Sequence, residues 1–243
     1  SLYHDDVMDE AKMRRNVPSV NAVWGNHTAI LAGDFLLARA SEIAASLGTE
    51  IAGLLARTIG ELCEGQILEL QSTYKPSRTE ESYEQSIAGK TASLLSTACR
   101  IGGLTAGLER RTVDQLTTFG HTYGMAFQIV DDILDVIATE DQLGKPAGND
   151  LIEGVYTLPV LLALESNVGE QLQELLGKEL STDERDQALG LIRSTDAVDE
   201  AFTRAQFWAQ KAKLELEALP SSPATDALFA ATNHLLGRAQ SAN

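Results

Sequence analysis

The stretch Phe127-Gln128-Ile129-Val130-Asp131-Asp132-Ile133-Leu134-Asp135 decides how this chain is read. Three carboxylates interrupt an otherwise apolar run in the spacing D-D-x-x-D. On a helix, residues i and i+4 share a face, so Asp131 and Asp135 point together. Like charges at that spacing repel, and the cluster costs stability unless a cation lies between them. The same spacing occurs at Asp5-Asp6-Val7-Met8-Asp9, where Asp5 and Asp9 pair in the same way. Two such clusters facing one cavity would hold divalent metal, and metal held by carboxylates usually means phosphate.

Cations and donors flank both clusters. Arg14-Arg15 follow the first at the start of a basic loop, Lys12 to Ser19. Guanidinium groups take phosphate oxygens in bidentate fashion. Lys90-Thr91 lie inside a largely apolar helix, where a buried lysine needs a counter-anion such as diphosphate. Lys145 lies on a loop just past the second cluster. Gln128 is placed to hydrogen-bond a diphosphate or a metal-bound water, and Phe127 to face a carbocation with its ring. Taken singly, each has an ordinary explanation: a solvated corner, a helix polar residue, a packed ring. The repeated aspartate spacing is what sets those explanations aside.

The rest of the composition bounds the fold. Ala and Leu dominate, six prolines leave long uninterrupted stretches, and runs rich in Val, Ile and Thr are scarce, so the chain reads as all-α. Its 243 residues suffice to bury a sizeable core. Thirty-five acids against nineteen bases give a formal net charge of -16, which excludes a duplex-binding basic face and argues against strong attraction to an anionic membrane. Cys63 and Cys99 lack metal-ligand spacing and read as buried thiols. No secretory leader or membrane-spanning run is visible, which fits a cytoplasmic protein. There is no G-x-x-x-x-G-K-[ST] loop, so phosphate must be held another way.

Helices are predicted over residues 1–11, 21–47, 50–73, 79–99 with a break at Gly102-Gly103 before a continuation to 108, 112–138, a segment starting at Thr157, 169–176, 181–193, 196–218 and 223–238. The helix over 21–47 is apolar nearly all round, which predicts a buried central position, with Asp34 conspicuous inside it. Ser181 and Glu184 have capping-box spacing, and Pro159 is tolerable only in a first turn.

These residues together resemble the trans-polyprenyl diphosphate synthases of the all-α isoprenoid synthase fold, nearest in look to actinobacterial long-chain members. The stretches that carry the resemblance are His4–Asp9, Met13–Arg15, Gly25-Asn26, Leu31–Arg39, Gly65-Gln66, Gly89–Ser93, Phe127–Asp135, Gly144–Asp150 and Thr157–Pro159. Similarity runs from residue 1 to about 165. The resemblance implies one isoprenoid synthase domain over 1–243, a helical bundle around a central cavity. It implies three Mg²⁺ ions, with Asp5, Asp9 and Asp131 as ligands and Asp6, Asp132 and Asp135 supporting them or their waters. By the same resemblance Arg14, Lys90 and Lys145 neutralise the allylic diphosphate, Arg15 contacts isopentenyl diphosphate, and Thr91, Phe127 and Gln128 lie near the reacting carbons or the leaving group. Asp5, Asp9, Lys90, Gln128 and Asp131 are then the residues that carry catalysis.

The implied reaction is ionisation of the allylic C–O bond, attack by the isopentenyl double bond, and loss of a proton to the released diphosphate. A small residue one turn before Asp5, Ser1, permits a long product. Shorter, geranylgeranyl-type synthesis and a non-catalytic role in a two-chain synthase are the alternatives. Relatives imply a homodimer, with transient membrane contact for product release. The chain opens at Ser1 inside a helix, and the family's Gly-Gly-Lys-Arg segment is not among these residues, so N-terminal helices are expected to precede it. Two other departures stand inside the chain: Gly154-Val155 where the family often has Gly-Lys, and Glu69 where many relatives have Asp or Gln.

Overall fold

The computed structural model describes residues 1–15, 17–138 and 147–242. It is all-α apart from one two-stranded ribbon among the described residues. Contacts divide the chain into two compact units, Ser1–Arg57 and Thr58–Asn243.

In the first unit, α1 (Leu2–Met8) leads through a short turn to the antiparallel strands β1 (Met13–Arg14) and β2 (Val17–Pro18), with Met13 opposite Pro18 and Arg14 opposite Val17. The expected basic loop is thus a tight hairpin, and Arg15 takes a left-handed backbone, φ +51°, at its tip. Ser19 caps α2 (Val20–Trp24) by accepting the Ala22 N–H. The single helix predicted over 21–47 is broken at Gly25. Its φ of +82° and ψ of 161° lie outside what a side chain tolerates, and α3 (Asn26–Ser46) starts afresh.

α3 also departs from its expected burial. Only Ala29, Gly33 and Ala44 are buried, whereas Leu31 is 68% and Phe35 65% exposed. An apolar circumference reports that a helix is to be covered; it does not say whether the cover is the same chain.

The unit boundary falls within α4 (Thr49–Ser72). Cys63, expected to be buried, lies exposed on it, and Cys99 is half-buried. The second unit continues with α5 (Glu80–Ile87), capped by the Thr79 hydroxyl, a π-helical turn over Ala88–Ala92, and α6 (Ser93–Thr105). The predicted break at Gly102-Gly103 is absent, because a glycine pair inside a packed helix costs propensity without severing the ladder. The irregularity falls instead at Lys90. α7 (Arg110–Ile137) is the hub of this unit, packed against α6, the π turn, α12 (Ala197–Glu217) and α13 (Pro223–Ala242). Two glycines on one face of α7 bring it close to α6 and the π turn: a Cβ on Gly120 would stand 2.5 Å from the Leu95 carbonyl oxygen, and one on Gly124 2.6 Å from Ala92 Cα.

Between them run α8 (Asn149–Ile152), α9 (Leu158–Leu164), α10 (Gly169–Leu175) and α11 (Thr182–Arg193). Pro159 sits in the first turn of α9, and Ser181 and Glu184 form the reciprocal capping box. The core gathers Tyr83, Ile129, Ile133, Leu158, Ile192 and the alanine stripe Ala201-Ala205-Ala209 of α12. Alanines one turn apart let α12 lie close to α7.

Candidate active site

The two aspartate clusters share one feature: in each, the second carboxylate is buried and held by side-chain donors. Asp6 is 1% exposed and Asp132 3%. Burying a carboxylate is costly unless donors surround it, and each has them.

In the first unit, Asp6 Oδ1 accepts both Arg14 Nε at 2.7 Å and Arg14 Nη2 at 2.5 Å. The hairpin that carries Arg14 is itself tied back: Ser19 Oγ donates to the Ala11 carbonyl, and the Asn21 amide donates to the carbonyls of Asp6 and Ala11 at 3.1 and 3.0 Å. Asp5 is half-buried and Asp9 exposed. The Asp9 N–H bonds the Asp5 carbonyl, so the two residues stack one turn apart at the end of α1. Arg15 is exposed at the hairpin tip. His4 Nε2 lies 3.1 Å from the Ile30 carbonyl and 3.3 Å from Asp34. Asp34 is largely exposed beside this ring, and Gly33 makes room for it, since a Cβ there would meet His4 Nε2 at 2.4 Å.

In the second unit, Gln128 Nε2 donates to Asp132 Oδ1 at 2.8 Å, and Tyr83 Oη donates to Asp132 Oδ2 at 2.6 Å. Thr91 Oγ1 in turn donates to Gln128 Oε1 at 2.7 Å. Thr91, Gln128 and Asp132 therefore form one continuous network, closed by Tyr83. Lys90 Nζ donates to Glu69 at 2.6 Å, which supplies a counter-anion from the protein itself, and the Gln66 amide reaches the same Glu69 oxygen. Asp131 is exposed; Asp135 is buried, with Oδ2 3.3 Å from the Asp150 N–H. Phe127 is half-buried and tilted against Tyr123, with 6.4 Å between ring centroids. Lys145 lies outside the described residues.

Electrostatics follow this packing. Burial pushes the Asp132 carboxyl up to about 7, against the lowering pull of the Tyr83 and Gln128 hydrogen bonds. Burial and the adjacent Asp132 push the Tyr83 hydroxyl well above its ordinary value, so it stays a donor. Arg78 is lowered by its own burial; its guanidinium lies 5.5 Å from the Tyr83 ring centroid and donates Nη1 to the Tyr156 carbonyl at 3.0 Å.

Tyr83, Arg78 and the Lys90–Glu69 pairing were not legible as site features in the sequence. One signal was available: Tyr83 precedes Lys90 by seven residues, two helical turns, and so shares its face.

The donor set fits a hard divalent cation. Each cluster, taken by itself, offers carboxylate oxygens, Asp5 and Asp9 in the first unit and Asp131 in the second, and oxygen is the donor such a cation prefers. Among the described residues no three His, Cys, Asp or Glu side chains form a ready-made metal cage. Mg²⁺ takes one or two carboxylates and fills its shell with water and phosphate oxygens.

Comparison with known proteins agrees with this chemistry. The polyprenyl synthetase family model matches residues 1–192. A nonaprenyl diphosphate synthase of Mycobacterium tuberculosis is 41% identical over 241 residues, 98% of this chain and 72% of that protein. Heptaprenyl diphosphate synthase component 2 of Geobacillus stearothermophilus is 41% identical over 92% of this chain and 70% of its own length. A polyprenyl synthase from Caulobacter crescentus, crystallised with calcium and isoprenyl diphosphate, superposes with a TM-score of 0.91 at 32% identity, covering 97% of this chain and 73% of that one. Its fold is the all-α isoprenoid synthase fold, and the chain belongs to the polyprenyl synthetase family.

Proposed function

We propose that this chain is the synthase domain of a Mg²⁺-dependent prenyltransferase that adds isopentenyl diphosphate units to an allylic diphosphate and makes a long all-trans polyprenyl diphosphate. The observation that carries it is common to the two D-D-x-x-D clusters: the second aspartate of each is buried and held by side-chain donors, Asp6 by Arg14 and Asp132 by Tyr83 and Gln128, while the first of each, Asp5 and Asp131, is more exposed.

In this proposal Asp5, Asp9 and Asp131 hold the magnesium, three ions with substrate bound, and Asp135 supports them or their waters. Bound there, the metal neutralises charge building on the departing diphosphate. Asp6 and Asp132 serve as anchors. Arg14, Lys90 and Lys145 add positive charge at the allylic diphosphate, and Arg15 reaches isopentenyl diphosphate. Preorganised cations of this kind act where charge develops in the transition state. Phe127 turns an aromatic face toward the allylic carbons. Apolar residues on α6 and α7 keep water from trapping the cation.

The exposed Leu31, Phe35, Leu36 and Ile43 of α3 suit a homodimer. Among the described residues no helix is long and apolar enough to cross a membrane. A cytoplasmic enzyme that touches the membrane only to release its product is consistent with that. A second reading has one observation behind it: the Geobacillus relative is named a component of its synthase. This chain would then need a second subunit for turnover.

The test is turnover by the purified protein. With Mg²⁺, an allylic diphosphate and labelled isopentenyl diphosphate, the expected products are chains longer than geranylgeranyl, resolved by reversed-phase chromatography after dephosphorylation. Products that stop at geranylgeranyl length refute the long-chain proposal. No product alone, but product with an added partner chain, favours the heteromeric reading.

A further inference from the structure

Tyr83 is 1% exposed and lies where α5 meets α7. Its hydroxyl occupies Asp132 Oδ2 at 2.6 Å, while the Gln128 amide occupies Oδ1 at 2.8 Å. Both oxygens of this carboxylate therefore point at protein donors. The Tyr83 ring is held from the other side by the Arg78 guanidinium, which is fixed on the Tyr156 carbonyl. Loss of the hydroxyl alone would leave the ring in place and one Asp132 oxygen without its donor.

A carboxylate gripped at both oxygens keeps one rotamer. Because Asp132 sits between Asp131 and Asp135 on the same helix, gripping it fixes the rotation and height of that helix face. The same bond network passes through Gln128 to Thr91, so it also sets the distance between α7 and the π turn.

We propose that Tyr83 is a positioning residue for the second aspartate cluster: its hydroxyl, together with Gln128, holds Asp132 as a buried anchor that does not ligate metal and that aims Asp131 and Asp135 at the metal–diphosphate. This rests on the proposed function of the site. Groups that orient a metal ligand through a hydrogen bond typically cost about 10–100-fold in metal affinity when removed.

Calorimetric titration of the whole chain with inorganic pyrophosphate in the presence of Mg²⁺ tests this without turnover. The proteins compared are wild type, Tyr83→Phe, Asp132→Asn, the double variant, and Asp131→Asn as reference. Tyr83→Phe is expected to weaken binding about tenfold or more. In the Asp132→Asn background the same change is expected to add less than about twofold, because the hydroxyl acts through that carboxylate. Wild-type affinity in Tyr83→Phe, or an equal loss in both backgrounds, overturns the inference. Should Tyr83→Phe not accumulate as folded protein, a wild-type crystal grown with Mn²⁺ and pyrophosphate decides. Asp132 still bonded to Tyr83 and off the metal supports the anchor role, and a direct Asp132–metal bond refutes it. Wild-type protein that binds no Mg²⁺–pyrophosphate at all, with Asp131→Asn indistinguishable from it, instead brings down the proposed function of the site.

Discussion

Gly65 and Gly89 meet backbone to backbone: a Cβ on Gly65 would stand 2.6 Å from the Lys90 nitrogen, and one on Gly89 2.6 Å from the Glu61 carbonyl oxygen. α4 and the π turn approach at a separation that only hydrogen side chains permit. π turns concentrate at functional sites because they re-aim side chains, and here the turn sends Lys90 to Glu69 and Thr91 to Gln128. Gly65→Ala is expected to force the two backbones apart at a cost of about 1–3 kcal/mol. For a chain of this size that is a fall of roughly 2–4 °C per kcal/mol in the unfolding midpoint. Circular dichroism melts measure it, and an unchanged midpoint would show that the contact relaxes freely.

Arg14 and Asp6 are a pair in which only one partner is buried; the Arg14 side chain is 39% exposed and that of Asp6 2%. Arg14→Met removes the cation and strands the carboxylate. After allowance for solvent screening on the arginine side, the expected cost is about 1–3 kcal/mol. Asp6→Asn in the Arg14→Met background should recover part of it, because the stranded charge is gone. Denaturant unfolding of the two singles and the double reads this coupling, and strict additivity would refute it.

Lys90 is held by Glu69 at 2.6 Å and is assigned here to the allylic diphosphate. Lys90→Ala is expected to lower kcat/KM by roughly 10²–10³, the usual loss for one preorganised electrostatic donor. Glu69→Gln leaves the lysine in place but loosens it, so it should raise KM for the allylic substrate more than it lowers kcat. Steady-state kinetics with varied allylic diphosphate separates the two, and wild-type constants in Lys90→Ala would remove the lysine from the site.

His121 lies edge-on to Trp208, with ring centroids 6.3 Å apart. Burial lowers its pKa below the ordinary 6.5, opposed by the nearby Glu61. The unfolded chain therefore binds a proton at a pH where the folded protein does not. This contribution to stability is full above about pH 6.5 and is lost as pH falls through the folded value. Melting curves from pH 8 to pH 5 should show a loss that is smaller in His121→Gln. Equal slopes in both proteins would place the titration elsewhere.

The candidates for the proposed site were legible in one dimension. The carboxylate spacings, the Arg14-Arg15 and Lys90-Thr91 pairs and the Phe127-Gln128 prelude are local patterns, and a helix turns spacing into direction without outside help. The start of α9 at Thr157-Leu158-Pro159 and the capping box at Ser181 were legible for the same reason, since each is satisfied within four residues.

Other features were not. That Asp6 and Asp132 can be buried depends on Arg14, Tyr83 and Gln128 arriving as donors. Tyr83 comes from 49 residues away from Asp132, with no local trace of the pairing. Lys90 was expected to wait for a diphosphate, yet Glu69 reaches it because two glycines let α4 close in. The break at Gly25 and the uncovered apolar face of α3 were hidden behind continuous helical periodicity, which records hydrophobicity and not what covers it.

By itself the order of residues determined the helical class, the two acidic clusters and the kind of ligand they suit, because those follow from periodicity and charge along single segments. Which aspartates are buried and what bonds them, what faces Lys90, and where α3 breaks were decided only by helices meeting in three dimensions. The physical reason is that a buried charge takes its role from donors brought by other segments, and those distances exist only once the chain has packed.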